Sequence, residues 1–168
     1  IVDGSTLQSG GKEVYGLELG AFATLYEGES FTLPVRLSYT YTDGEYTRAA
    51  DGGGIIAGDA LEYTPPHTAA LQIGLEHQAG WDVYAALSYV DETCVTTTCD
   101  RPGVNAAFLR THDLITLDLS ASYDLTDTVE IYAKVDNVFD ERAITQHGAD
   151  GARGNPGRYA GLGLRVNF

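Results

Sequence analysis

Residues 31–42 read FTLPVRLSYTYT. Phe31, Leu33, Val35, Leu37, Tyr39 and Tyr41 take the odd positions; Thr32, Pro34, Arg36, Ser38, Thr40 and Thr42 take the even ones. A β-strand sends successive side chains to opposite faces, so the stretch predicts a strand with one apolar and one polar face. The same period of two recurs in 15–26 (YGLELGAFATLY), 68–77 (TAALQIGLEH), 81–90 (WDVYAALSYV), 115–123 (ITLDLSASY), 129–139 (VEIYAKVDNVF) and 158–168 (RYAGLGLRVNF). Seven strands are expected. In each, one face takes the charges: Glu18, Arg36, Glu76, Asp82, Asp118, Glu130, Lys134, Asp136 and Arg165.

A water-soluble β-sandwich would alternate in the same way, with its apolar face turned inward. Two features favour a membrane barrel. The strands run to about ten residues or more, beyond the usual ~5–6 and suited to a tilted crossing of ~9–11. Aromatic residues also sit at the ends of the apolar faces: Phe31 with Tyr39 and Tyr41, Trp81 with Tyr89, and Phe168 at the close. That is the girdle pattern of outer-membrane barrels. No apolar run approaches the ~20 residues of a membrane helix. Twenty Gly and eleven Tyr fit β-structure with tight turns. A net charge of −14 excludes nucleic acid as a partner and a polybasic attachment to anionic lipid.

The connections divide into two kinds. YEGES (26–30), HQAGW (77–81) and YDLTDT (123–128) are short turns, whereas 48–66, 91–111 and 141–157 are long polar loops. Short turns facing the periplasm and long loops outside are the barrel arrangement. The last strand then runs toward the periplasm and places Phe168 at that edge. Cys94 and Cys99 bracket a short segment of the second long loop. A disulfide between them is the expected reading, with two free thiols as its alternative, and it implies an oxidising compartment.

Seven is an odd count, and single-chain bacterial barrels use even counts. The expected fold is therefore all-β: the C-terminal strands of a larger antiparallel transmembrane barrel, filling 1–168 as one domain. Two alternatives stand beside it. A small complete eight-stranded barrel, structural or adhesive, would need residues 1–8 as a first strand. A soluble β-sandwich would be a binding module.

Several segments carry a family resemblance. YGLELGAFATLYEG (15–28), LSYTYTDGEYT (37–47) and LEYTPPHTAALQIGLE (61–76) resemble the late barrel strands of TonB-dependent outer-membrane receptors. IYAKVDNVFDERA (131–143) is similar to their penultimate-strand signature, and GARGNPGRYAGLGLRVNF (151–168) to the entry into their last strand. Gly151, Ala152 and Arg153, followed by Pro156, Gly157 and Arg158, resemble the run of the ferric-citrate branch. The resemblance implies a 22-stranded barrel in the outer membrane of a Gram-negative bacterium, of which this chain supplies about the last third. It also implies import of a ferric chelate driven through TonB, which acts on an N-terminal plug, with the remainder of the same receptor, outer-membrane lipid and the barrel-assembly machinery as partners. Phe168 would be the terminal mark read by that machinery.

The candidate ligand contacts are arginines in or beside the long loops: Arg48, Arg101, Arg110, Arg142, Arg153 and Arg158. Their planar forks match the carboxylates of an anionic chelate. His67, His112 and His147 fall at loop edges without a metal-ligand cluster, and Asn137 and Asp140 are read as shaping a strand end. The neighbours His112 and Asp113 are expected to point to opposite faces of a strand, so no enzyme is expected. No cofactor and no resident metal are expected either.

Overall fold

The computed structural model describes residues 10–50, 54–148 and 150–168. Among the described residues nine strands form: β1 (Gly11–Glu27), β2 (Phe31–Arg48), β3 (His67–His77), β4 (Trp81–Val90), β5 (Leu114–Thr126), β6 (Val129–Asp136), β7 (Ile144–Gly148), β8 (Gly151–Gly154) and β9 (Tyr159–Val166). One antiparallel sheet runs β1-β2-β3-β4-β5-β6-β9, and β7-β8 is a separate hairpin. The large sheet is not closed, because β1 pairs only with β2 and β9 only with β6. The residues 1–8 that an eight-stranded barrel would use lie outside the described residues.

The register keeps the faces apart across the whole sheet. Val35 lies opposite Ala23 and Ile73, Ile73 opposite Ala85, and Ala85 opposite Leu119. Leu119 faces Val135, and Val135 faces Ala160, so β9 carries its apolar residues on even positions. Near the short turns, Phe31, His77, Trp81 and Tyr123 form one cross-strand row on the apolar face. The His77 and Trp81 rings stack at 4.8 Å, and those of Tyr26 and Phe31 at 4.7 Å. Near the loops, Tyr39, Tyr41, His67 and Tyr89 form the second belt. Eight to ten residue steps separate Phe31 from Tyr39 and Tyr41. At ~3.4 Å per residue and a tilt near 40° that is about 21–26 Å, matching the ~25 Å apolar band of an outer-membrane wall.

A soluble globule of 18.0 kDa exposes about 8,000 Å², whereas this chain exposes 11383 Å². Leu17, Leu19, Ile73, Leu162 and Leu164 are all open on the apolar face. There is no second sheet packed on it among the described residues, so the sandwich reading fails: a sandwich buries this face.

Four details differ from the sequence expectation. β1 and β2 run past the apolar band to Gly11 and Arg48. Beyond Tyr41 the outward face becomes Asp43 and Glu45, so the ladder continues in water with no apolar alternation to reveal it. The loop 141–157 contains the β7-β8 hairpin, with Gly151 at φ +117° in its turn. β6 stops at Asp136, because Asn137 takes φ +52°. His112 and Asp113 precede β5 and lie on no strand, so the opposite-faces expectation does not apply to them.

Candidate functional site

The three long connections fold together above the loop-side belt. Tyr46 holds the first of them at its backbone: its N–H donates to the Asp59 carbonyl at 2.9 Å, and Gly58 N–H donates to the Tyr46 carbonyl at 2.8 Å. This returns the first loop onto β2 and buries the Asp59 carboxylate, whose side chain is 1% exposed. Arg101 of the second loop reaches Asp59 with two bonds, Nε to Oδ1 at 2.7 Å and Nη2 to Oδ2 at 2.5 Å. Its Nη2 also donates to the Gly54 carbonyl at 2.6 Å, and Ile56 N–H donates to Asp59 Oδ2 at 2.8 Å. The two Arg101 bonds hold the Asp59 carboxyl below its ordinary range, with burial opposing them.

Cys94 and Cys99 are joined in a disulfide with Cα atoms 5.8 Å apart, and both are buried. Asp100, next in sequence, pairs with Arg110 Nη2, while Arg110 Nη1 meets Glu92 Oε1 at 3.2 Å. Tyr63 spans the three connections. Its N–H donates to the Cys94 carbonyl at 2.8 Å, and its hydroxyl donates to the His147 carbonyl at 2.7 Å. His112 N–H donates to the Ile144 carbonyl at 2.8 Å, a second tie to the hairpin.

Asn137, 5% exposed, organises the third connection. Its Nδ2 donates to the Glu141 and Pro156 carbonyls, both at 3.0 Å, and its Oδ1 accepts from Glu141 N–H at 3.0 Å. Asp140 Oδ1 accepts from Arg158 N–H at 2.8 Å and from Arg142 Nη2 at 3.0 Å. Chiefly that backbone bond, with Arg142 adding to it, lowers the Asp140 pKa. Gly157 leaves the space that the Arg142 guanidinium fills.

The six arginines therefore separate. Arg101, Arg110 and Arg142 are committed to carboxylates of the layer itself. Arg48 and Arg153 are exposed and have no carboxylate partner among the described residues, whereas Arg158, also exposed, donates its N–H to Asp140 and its charge acts on that carboxylate. The histidines are not gathered. His67 sits in the outward belt with its Nδ1 2.9 Å from the Tyr39 hydroxyl, His112 Nδ1 accepts from Ile144 N–H at 3.5 Å, and His147 meets Tyr63. Cys94, Cys99 and Asp100 lie close enough to share a cation, but both sulfurs are spent in the disulfide. On the polar face Lys134 pairs with Asp136 at 2.8 Å, while Glu130 is taken by Arg165 at 2.6 Å. Facing water, such pairs add little to stability.

Asp59, Tyr63 and Asn155, whose Oδ1 accepts from Ala143 N–H at 2.8 Å and whose Nδ2 donates to the Glu141 carbonyl at 2.9 Å, are structural members of the layer that the sequence does not announce. The Asp59–Arg101 tie makes a pH prediction. Because the folded pKa lies below the ~3.9 of a free aspartate, the tie is fully present above that value and is lost as pH falls through the lowered one. Hydrogen exchange should show residues 54–59 protected from pH 7 down to about 4 and opening below it. Protection that fades between pH 7 and 5 would contradict this assignment.

The TonB dependent receptor-like β-barrel family matches residues 2–138. Among solved structures, the chain is similar to the siderophore receptor PiuA from Acinetobacter baumannii, at 22% identity over 92% of this chain and 22% of that one, with a TM-score of 0.69. It is similar to the copper transporter OprC at 20% identity over 94% of this chain and 24% of that one, with a TM-score of 0.64. It is also similar to the ferric yersiniabactin uptake receptor FyuA from Yersinia pestis, at 19% identity over 94% and 30%, with a TM-score of 0.56. The chain thus spans under a third of each of these proteins. No curated protein matches its sequence significantly.

Proposed function

The chain belongs to the TonB-dependent receptor β-barrel family, a family of outer-membrane receptors rather than enzymes, and from that premise we propose that it is the C-terminal part of such a barrel, importing a ferric chelate. The observation that carries the chelate reading is the separation of the loop arginines. Three are used to build the layer, Arg158 lies beside Asp140, and Arg48 and Arg153 are left exposed without a carboxylate partner among the described residues of an otherwise acidic chain. An unpaired guanidinium suits the carboxylates or hydroxamates of an anionic chelate. The GAR and PGR runs that carry Arg153 and Arg158 favour a carboxylate-rich chelate of the ferric-citrate type. Copper import is less well served: a soft copper site favours Met or Cys thiolate, and the chain has no Met and both Cys are bonded to each other.

Transport in this reading needs no chemistry from the wall. The external layer binds the chelate, a plug supplied by the rest of the polypeptide closes the lumen, and TonB moves the plug. The outer face meets outer-membrane lipid. In this reading Phe168, which follows β9 and is exposed, serves as the mark recognised by the barrel-assembly machinery.

The test is uptake of radiolabelled iron as ferric citrate, by cells whose own chelate receptors are deleted and which carry the full receptor. Uptake should require TonB. The Arg153→Ala/Arg158→Ala variant should raise KM about tenfold or more, as expected for lost charge-assisted bonds, while surface levels hold. TonB-independent uptake, or an unchanged KM, would sink the proposal.

A further inference from the structure

Two neighbouring side chains on the apolar face carry ring N–H donors. His77 closes β3 and Trp81 opens β4, and they lie opposite each other in the aromatic row beside the short turns. Their rings stack at 4.8 Å with planes 8° apart. The turn between them fixes the imidazole. Gly80, at φ +79°, donates its N–H to the His77 carbonyl at 3.0 Å, and Ala79 N–H donates to His77 Nδ1 at 3.0 Å. An Nδ1 that accepts leaves the ring hydrogen on Nε2, so His77 presents a donor there, and the Trp81 indole nitrogen can only donate. Neither nitrogen has a protein partner among the described residues, and neither is enclosed by protein.

The surroundings of the pair divide by face. Toward the middle of the band the next row is Leu75, Val83 and Ala121, all apolar. The nearby carboxylates, Glu76, Asp82 and Asp124, alternate onto the polar face. There the Tyr84 hydroxyl donates to Glu76 and the Ser122 hydroxyl to Asp82. The lipid-facing surface thus offers hydrocarbon contact in one row and two N–H donors at its edge, and no carboxylate of the sheet accepts from them. That edge is the short-turn end of the ~25 Å apolar band, the level of lipid headgroups.

We infer that His77 and Trp81 form a binding site for the phosphodiester of a glycerophospholipid in the periplasmic leaflet. Both N–H groups donate to its phosphate oxygens, and its acyl chains lie along Leu75, Val83 and Ala121. The inference rests on the outer-membrane reading above, which turns the short turns toward the periplasm, and goes beyond it by giving the wall a defined lipid partner. Hydrogen-bond complementarity selects the occupant. Two unpartnered donors meet a group that only accepts, and bonds to an ionised acceptor are shorter and about twice as strong as neutral ones. A pair of Phe rings would supply the same apolar contact. The two ring nitrogens, one of them oriented by the Ala79 backbone, therefore distinguish a headgroup site from a general aromatic belt.

The experiment is native mass spectrometry of the full receptor in detergent, titrated with dioleoyl phosphatidylglycerol, dioleoyl phosphatidylethanolamine or dioleoylglycerol. The last has the same chains and no phosphate. His77→Phe/Trp81→Phe keeps an aromatic ring at both positions and removes both donors. It should keep the heat-modifiable barrel band and bind either phospholipid about tenfold more weakly than the wild type, with dioleoylglycerol binding unchanged. Trp81→Phe alone, with the oriented imidazole still in place, should weaken phospholipid binding about threefold. Wild-type phospholipid binding in either variant overturns the site. So does an equal loss of dioleoylglycerol, which would mean that the rings hold chains and not phosphate. Lipid binding is read without transport, whereas absence of TonB-dependent uptake by the wild type overturns the receptor reading, so the two failures are distinct.

Discussion

Arginine at position 85 is expected to destabilise the wall by about 2–4 kcal/mol, and arginine at position 86 by close to nothing. The two positions are adjacent in β4, both are alanine, and both are half-buried. They differ in face. Ala85 lies between Ile73 and Leu119 in the row halfway from Trp81 to Tyr89, so it meets the middle of the apolar band. Ala86 lies between Gln72 and Asp118 on the polar face. An arginine at 85 must carry its charge into hydrocarbon, whereas one at 86 enters water beside a carboxylate. The measurement is equilibrium unfolding of the full receptor in lipid or detergent for Ala85→Arg and Ala86→Arg. Equal losses would mean that the faces are misassigned, and a larger loss at 86 would mean that they are inverted.

That pair also shows why the sheet was readable. A side-chain period of two is a local property, so the lipid-facing and lumen-facing sets follow from the order of residues alone, strand by strand. The register aligns them through the middle of the wall, including the change from odd to even positions between Val135 and Ala160, and shifts only near strand ends, where Tyr26 rather than Leu25 meets Leu33. What could not be read depends on partners far apart in sequence. Asp59 and Arg101 are 42 residues apart, and Tyr63 and His147 are 84 apart. Nothing in the stretch around Asp59 sets it apart from the other carboxylates, and only burial by the returning loop does so. The arginines illustrate the same limit. Their residue type marked six equal candidates, but whether each meets a carboxylate is a tertiary fact, and among the described residues it left Arg48 and Arg153 without one. The β7-β8 hairpin was hidden for a different reason: HGADGARGNPG is so rich in Gly and turn residues that its composition reads as loop. The upper ends of β1 and β2 were hidden because both faces are wet there.

Alanine in place of Asn137 is expected to cost about 2–4 kcal/mol, and glycine about 1–2 kcal/mol less than that. The larger figure has two parts. Asn137 holds φ +52°, a region that Asn visits and Ala resists. Removing its side chain also leaves Glu141 N–H without its acceptor. The carbonyls of Glu141 and Pro156 are less affected, since Asn155 Nδ2 donates to them at 2.9 and 3.1 Å. Glycine relieves the backbone part and keeps the orphaned donor, so the ranking separates conformation from hydrogen bonding. The consequence should reach function, because this turn places Asp140, and with it Arg142 and the Arg158 backbone, at the root of the hairpin that carries Arg153. In the full receptor Asn137→Ala should therefore lower the unfolding midpoint and raise the KM for chelate uptake, while Asn137→Gly should do both to a smaller degree. If alanine and glycine are equally destabilising, the left-handed backbone at 137 carries no energy of its own. If stability falls while KM stays fixed, the turn supports the wall and not the binding layer.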